Sequence, residues 1–149
     1  VMVFDAEFYK ALIGNLNKVF KSGAQVFLYE IGVAYGELLA KRLADAGGLS
    51  RSTARRYAEE YSTLAVGKFE FPPLETLAGK VPGTLTIGLR ESFFATSLGR
   101  TGQAECHIVR GILEGTAKTM FGQDYACSEE KCMSKGDQRC EFLLSRRKG

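Results

Sequence analysis

The sequence has no tryptophan, one histidine and three prolines, and its longest stretch without a charged side chain, residues 81–89, is nine residues. A membrane-spanning helix needs about 20 consecutive apolar residues, so no helical span is expected. Positions 1–10 contain Asp5 and Glu7 and lack the basic start and apolar run of a secretory signal, which leads to the expectation of a cytoplasmic protein. The scarcity of histidine weighs against hydrolysis: a Ser, Thr or Cys nucleophile would have only His107 or a carboxylate as its base. Gly99-Arg100-Thr101-Gly102 and Gly79-Lys80 match neither a phosphate-cradling loop nor a dinucleotide fingerprint and read as turns. The net charge of +3 comes from 20 basic and 17 acidic side chains that are interspersed, too slight a balance to point to nucleic acid. Arg51, Arg55 and Arg56 after Gly47-Gly48, and the basic end Arg146, Arg147 and Lys148, read as solvated faces.

What is present describes one α+β domain over residues 1–149, with 45% hydrophobic residues and a length that buries roughly 68% of the unfolded surface. Phe4, Phe8, Leu12, Leu16, Val19 and Phe20 recur at helical spacing behind Asp5 as N-cap, with Gly23 as a stop. A second helix spans Val26 to Leu43 and ends at Gly47-Gly48, and Ser50 caps a third from about Arg51 to Val66. The period then changes. Residues 68–71 alternate charge with aromatic, Pro72 and Pro73 block further pairing, and residues 84–95 predict a longer strand. Thr101 is expected to cap a buried helix over 102–121, on which Gly111 and Gly115 form a stripe where another backbone can approach closely. Strands over 125–133 and 139–145, joined by Ser134-Lys135-Gly136-Asp137, predict a C-terminal hairpin. The architecture expected is therefore N-terminal helices, a central antiparallel sheet, a buried helix and a terminal hairpin.

All four cysteines, Cys106, Cys127, Cys132 and Cys140, lie in the last third of the chain. Cys132 and Cys140 are equidistant from Gly136, so a symmetric hairpin sets them opposite one another, with Cβ atoms about 4.5–5.5 Å apart. Cys106 falls in the first turn of the expected buried helix, where the helix N-terminus favours thiolate. Three sulfurs can therefore converge on a metal ion, and the fourth ligand would come from Cys127, Glu129, Glu130 or His107. In a straight strand Glu130 shares a face with Cys132, and a turn or bulge before Cys132 reverses that choice to Glu129. Three thiolates and a carboxylate on a zinc dication carry about −2, which Lys131, Lys135 or Arg139 could offset. A site closed by four protein ligands is structural or regulatory rather than catalytic.

The stretch from Cys106 to Phe142, reading CHIVRGILEG at its start and EEKCMSKGDQRCEF at its end, resembles the 4-vinyl reductase domain family. The resemblance implies an α+β ligand-binding domain related to the trafficking-complex and nitric-oxide-sensor folds, homodimeric, and used as a sensory module. It also implies zinc held by Cys106, Glu129, Cys132 and Cys140, with Cys127 outside the site. Phenol-sensing members hold the ligand hydroxyl with a histidine and a tryptophan. This chain has no tryptophan, and its one histidine adjoins Cys106, so the expected partner is a hydrophobic or aromatic small molecule without that phenol-specific pair. Phe27, Tyr29, Phe93 and Phe94 offer aromatic surface for it. Two further readings are a subunit of a tetrapyrrole vinyl reductase, which would need a redox partner because no nicotinamide, flavin or cluster motif is present, and a thiol redox switch.

Overall fold

A computed structural model of the chain describes residues 5–47, 59, 61, 66–77 and 79–148. Asp5 acts as the expected cap: its Oδ1 accepts the Phe8 N–H at 2.8 Å and starts α1 (Ala6–Phe20), which turns Tyr9 and Ile13 inward. Gly23 is not the stop. The break falls on Lys21, at φ 50°, and Gly23 opens α2 (Gly23–Asp45). The helix expected over 51–66 lies largely outside the described residues; within it Tyr61 is buried and Glu59 is exposed, as their inward and outward assignments require.

Four strands follow, β1 (Lys68–Glu70), β2 (Thr84–Arg90), β3 (Tyr125–Lys131) and β4 (Cys140–Arg146), in one antiparallel sheet of order β1-β2-β4-β3. Period-two alternation gives the sheet two faces. Ile87, Leu89, Tyr125, Cys127, Cys140, Phe142 and Leu144 are buried on the inner face, while Thr86, Arg90 and Ser128 stand on the outer one.

Two expected elements differ. The strand predicted over 84–95 ends at Arg90, because Glu91 takes φ 54° and Ser92 Oγ accepts the Ala95 N–H, starting a short helix α3 (Phe93–Leu98). The helix expected from Gly102 begins five residues later as α4 (His107–Phe121). Gly102 sits at φ 79°, and the Thr101 and Gly102 N–H groups both donate to the Ser134 carbonyl of the hairpin, so this segment is tied to the β3–β4 turn instead of being helical.

α4 lies against the inner face of the sheet, and α2 covers its other side. The predicted small-residue stripe of Gly111 and Gly115 meets a matching pair, Gly32 and Gly36, on α2. A Cβ placed on any of the four would come closer than 3.0 Å to a backbone carbonyl oxygen of the facing helix. The two backbones therefore touch, which buries the helix on two sides and explains why Val109, Ile112, Leu113 and Ala117 are almost wholly shielded. Gly115→Ala is expected to cost about 2–3 kcal/mol, since backbone cannot yield as a side chain does. Gly14→Ala in α1, where a Cβ meets nothing within 4 Å, should instead gain about 0.5–1 kcal/mol. Urea denaturation midpoints of the two variants check both signs.

Candidate metal centre

Three separate elements deliver the sulfurs. Cys106 is the N-cap residue of α4, Cys140 opens β4 on the inner face, and Cys132 follows the end of β3 in extended conformation, immediately before a single 3-10 turn (Met133–Lys135). All three side chains are fully buried. Cys140 Sγ lies 3.6 Å from Cys106 Sγ and 3.9 Å from Cys132 Sγ.

The fourth donor depends on a sheet irregularity. β3 pairs with β4 in regular register from Tyr125 to Glu129, opposite Phe142, and then skips a residue so that Lys131 faces Glu141. This bulge is the condition under which Glu129 replaces Glu130 on the face of Cys132. Glu129 Oε2 accepts the Cys106 N–H at 3.1 Å, and its Oε1 is buried with no hydrogen-bond partner among the described residues. Glu130 is exposed and takes the Ser128 hydroxyl. One ligand atom each from Cys106, Glu129, Cys132 and Cys140 lies within 4.8 Å of the others, a cluster that could hold a metal ion.

The electrostatics describe a cluster that retains protons. Hydrogen bonds from Cys106 and then Cys140 hold the Cys132 thiol far below the usual range, so the thiolate belongs to Cys132. Cys106, expected from its helix position to be the ionised one, is instead pushed well up by its hydrogen bonds to Cys132 and Cys140 and by burial. At Cys140 the hydrogen bond with Cys106 lowers the pKa less than the bond to Cys132 and burial raise it, leaving it at about 12. Burial first, and then the Cys132 hydrogen bond and charge, push Glu129 up to about 8.

Neighbouring groups fix the sulfurs from behind. Ser92 Oγ lies 3.2 Å from Cys106 Sγ, the Met133 N–H donates to Cys140 Sγ at 3.4 Å, and Asp137 Oδ2 accepts the Cys132 N–H at 2.9 Å. Ser92 escapes the sequence reading because that reading runs a continuous strand through it. The signal available is a serine placed to cap Phe93–Leu98.

Other candidates lie apart from the cluster. Cys127 is buried between β3 and α4, where its N–H donates to Glu114 Oε2 at 2.9 Å, and burial raises its thiol pKa. His107 is the first residue of α4, largely buried, with Nε2 unpartnered among the described residues and its pKa lowered by burial and then by Arg110. The three basic residues expected to offset the site are engaged elsewhere: Lys131 with Glu141, Lys135 with the Glu130 carbonyl, and Arg139 with Glu70 and Glu141. Of the aromatics, Phe93 and Phe94 pack against Tyr9, Tyr29 lies under the Arg110 guanidinium, and Phe27 stacks on Phe20 at the surface.

A separate apolar cavity of about 30 Å³ lies toward the other end of α4. Its walls are α4 (Leu113, Ala117, Met120), the inner sheet face (Leu85, Ile87, Leu144) and the segment from Phe71 to Leu77. No residue of the metal cluster lines it.

Residues 85–146 match the 4-vinyl reductase domain, and the chain carries this domain over the stretch that holds the cluster. An uncharacterized protein of Methanocaldococcus jannaschii is 25% identical over 122 residues, covering 82% of this chain and 65% of that protein, so the chain spans just under two thirds of this curated relative. The phenol-responsive sensory domain of the transcription activator PoxR, solved with phenol, shares the fold at a TM-score of 0.75 and 14% identity, over 98% of this chain and 76% of that one. So does trafficking protein particle complex subunit 3 from Naegleria fowleri, solved covalently bound to palmitic acid, at a TM-score of 0.63 and 16% identity, over 96% and 93% of the two chains. No helix among the described residues is long and apolar enough to cross a membrane.

Proposed function

We propose that the chain is a zinc-containing, small-molecule-binding domain of sensory type, whose zinc is held by Cys106, Glu129, Cys132 and Cys140. The observation that carries this reading is the spacing of the sulfurs. A tetrahedral zinc with Zn–S bonds of about 2.3 Å sets its sulfurs about 3.8 Å apart, and the two measured separations are 3.6 and 3.9 Å. The unpartnered Glu129 Oε1 supports the fourth position, because a buried carboxylate oxygen without a donor is costly unless a cation faces it. When bound, zinc supplies a cross-link and no open coordination position. The protein's own groups then hold the N-terminus of α4 against the hairpin.

Zinc should be present at about one per chain in protein purified without a histidine tag. Cys132→Ser and Cys140→Ser should lose it, with the melting temperature falling on the order of 10 °C, while Cys127→Ser keeps both. In calorimetry at pH 7, zinc added to stripped protein should displace the protons held by Cys106, Cys140 and Glu129, and its apparent affinity should rise with pH through about 8, where Glu129 titrates. Retention of zinc and stability by either hairpin serine variant would refute the assignment.

The ligand is an apolar molecule in the cavity over the C-terminal half of α4. Among the described residues Thr116 is the one polar side chain lining it, and its hydroxyl is already closed by the Gly36 carbonyl at 3.2 Å and the Tyr61 hydroxyl at 2.5 Å. A ring of benzene size occupies a cavity of about 150 Å³, so the Phe71–Leu77 wall must move outward to admit one. Toluene or ethylbenzene should therefore raise the melting temperature of the zinc-loaded protein at concentrations where phenol does not. Equal or stronger stabilisation by phenol would contradict an apolar site.

The domain works as a homodimer. Phe27, Ile31, Tyr35 and Leu38 form an exposed apolar stripe along α2, extended by Phe20 stacked on Phe27. Such a patch on a helix already packed on its other side is suited to a second copy of itself. Sedimentation equilibrium should give twice the chain mass, and Ile31→Lys should shift it toward monomer without loss of zinc.

A further inference from the structure

The outer face of the sheet, directly behind the cysteine cluster, carries a chain of charges that links the cavity wall to both hairpin cysteines. Register places Glu70 of β1, Gly88 of β2 and Glu141 of β4 side by side. Arg139 reaches over Gly88: its Nη1 donates to Glu70 Oε2, and its Nη2 donates to Glu141 Oε2 at 2.8 Å. Arg90 Nε holds the other Glu70 oxygen, and Lys131 Nζ lies 3.4 Å from Glu141 Oε1. Gly88 leaves the space for this crossing, since a Cβ there would lie 2.8 Å from Glu70 Oε2 and 3.1 Å from Arg139 Nη1.

Sequence neighbours give the chain of charges its meaning. Glu70 is followed by Phe71, which lines the cavity; Arg139 is followed by Cys140; and Lys131 is followed by Cys132. β1 is a three-residue edge strand ended by Pro72 and Pro73, so its hold on the sheet through backbone pairing is short. We propose that Glu70 and Arg139, with Glu141 and Lys131, are positioning residues that couple the cavity wall to the hairpin of the metal centre. This rests on the proposed function only for what the two ends bind. When the wall swings out around a ligand, Glu70 is drawn away from Arg139, and the backbone on either side of the cysteines loosens. By linkage, a hairpin held firmly by its cluster also holds the wall closed. Each pair is partly exposed and weak alone. The effect comes from four residues sharing their partners across three strands.

Hydrogen exchange of the full chain tests this, with zinc content measured on the same samples. Glu70→Gln should raise exchange in the 131–140 hairpin about two- to fivefold while α2 stays unchanged. Gly88→Ala keeps every charge and displaces the pair, and it should act in the same direction. Strand propensity alone predicts the opposite, because Ala is favoured over Gly inside a strand. Changes confined to residues 68–90, changes that spread equally into α2, or slower hairpin exchange in Gly88→Ala would overturn the coupling. Absence of zinc from the wild-type samples would instead overturn the metal assignment, with the hairpin response still deciding the role of the charges.

Discussion

The backbone contact between α2 and α4 is the constraint on which the remaining arrangement depends. Four glycines, Gly32 and Gly36 against Gly111 and Gly115, let the two helices approach until carbonyl oxygens occupy the space that side chains would fill. With α2 that close, α4 fits between it and the sheet, and the N-terminus of α4 is pinned at one end of the inner sheet face. Cys106 stands at that end, opposite the start of β4 where Cys140 points inward. A thicker helix contact would move Cys106 relative to the hairpin and spread the sulfurs.

Bringing three thiols and a carboxyl out of water is unfavourable if all ionise. Without a cation the cluster avoids this by holding one thiolate at Cys132 and protonating its neighbours, which is why Cys106, Cys140 and Glu129 all resist losing protons. A dication reverses the preference at every position at once. Hydrogen bonds from Ser92, the Met133 amide and the Cys106 amide keep the donors oriented in either state. The positive side chains near the site contribute from the far face of the sheet, through carboxylates, rather than by direct pairing with the sulfurs.

Much of this is legible in local pattern. The Asp5 cap, the glycine stripe on α4, the hairpin around Gly136 and the clustering of cysteines all follow from spacing and turn chemistry. Choosing Glu129 over Glu130 turns on a bulge, a tertiary feature of how β3 matches β4, and spacing along one strand cannot reveal it. The β2–α3 break is hidden because Phe93 and Phe94 have strand-like character, while the buried Ser92 cap, linked to Cys106, decides the conformation. The thiolate is misplaced for a related reason: helix position favours Cys106, but its hydrogen bonds to two other sulfurs outweigh that preference. Aromatic composition identifies neither the cavity nor the surface stripe, since packing alone separates Phe71 from Phe27.

The cavity and the metal cluster sit along one helix, with about ten residues, or about 15 Å, between Cys106 and Thr116. A rigid shift of α4 is a poor way to connect them, because its glycines already touch the α2 backbone and leave no room for sliding. The sheet walls of the cavity are equally constrained, since Leu85, Ile87 and Leu144 belong to paired central strands. Adaptation to a ligand therefore falls on the Phe71–Leu77 wall, which is joined to the sheet by the shortest strand and followed by a single 3-10 turn. That places the moving part at β1, whose Glu70 is the residue bonded across the sheet to the arginine before Cys140. The route between the two sites thus runs over the outer face of the sheet, while the buried helix serves as the fixed frame against which it moves.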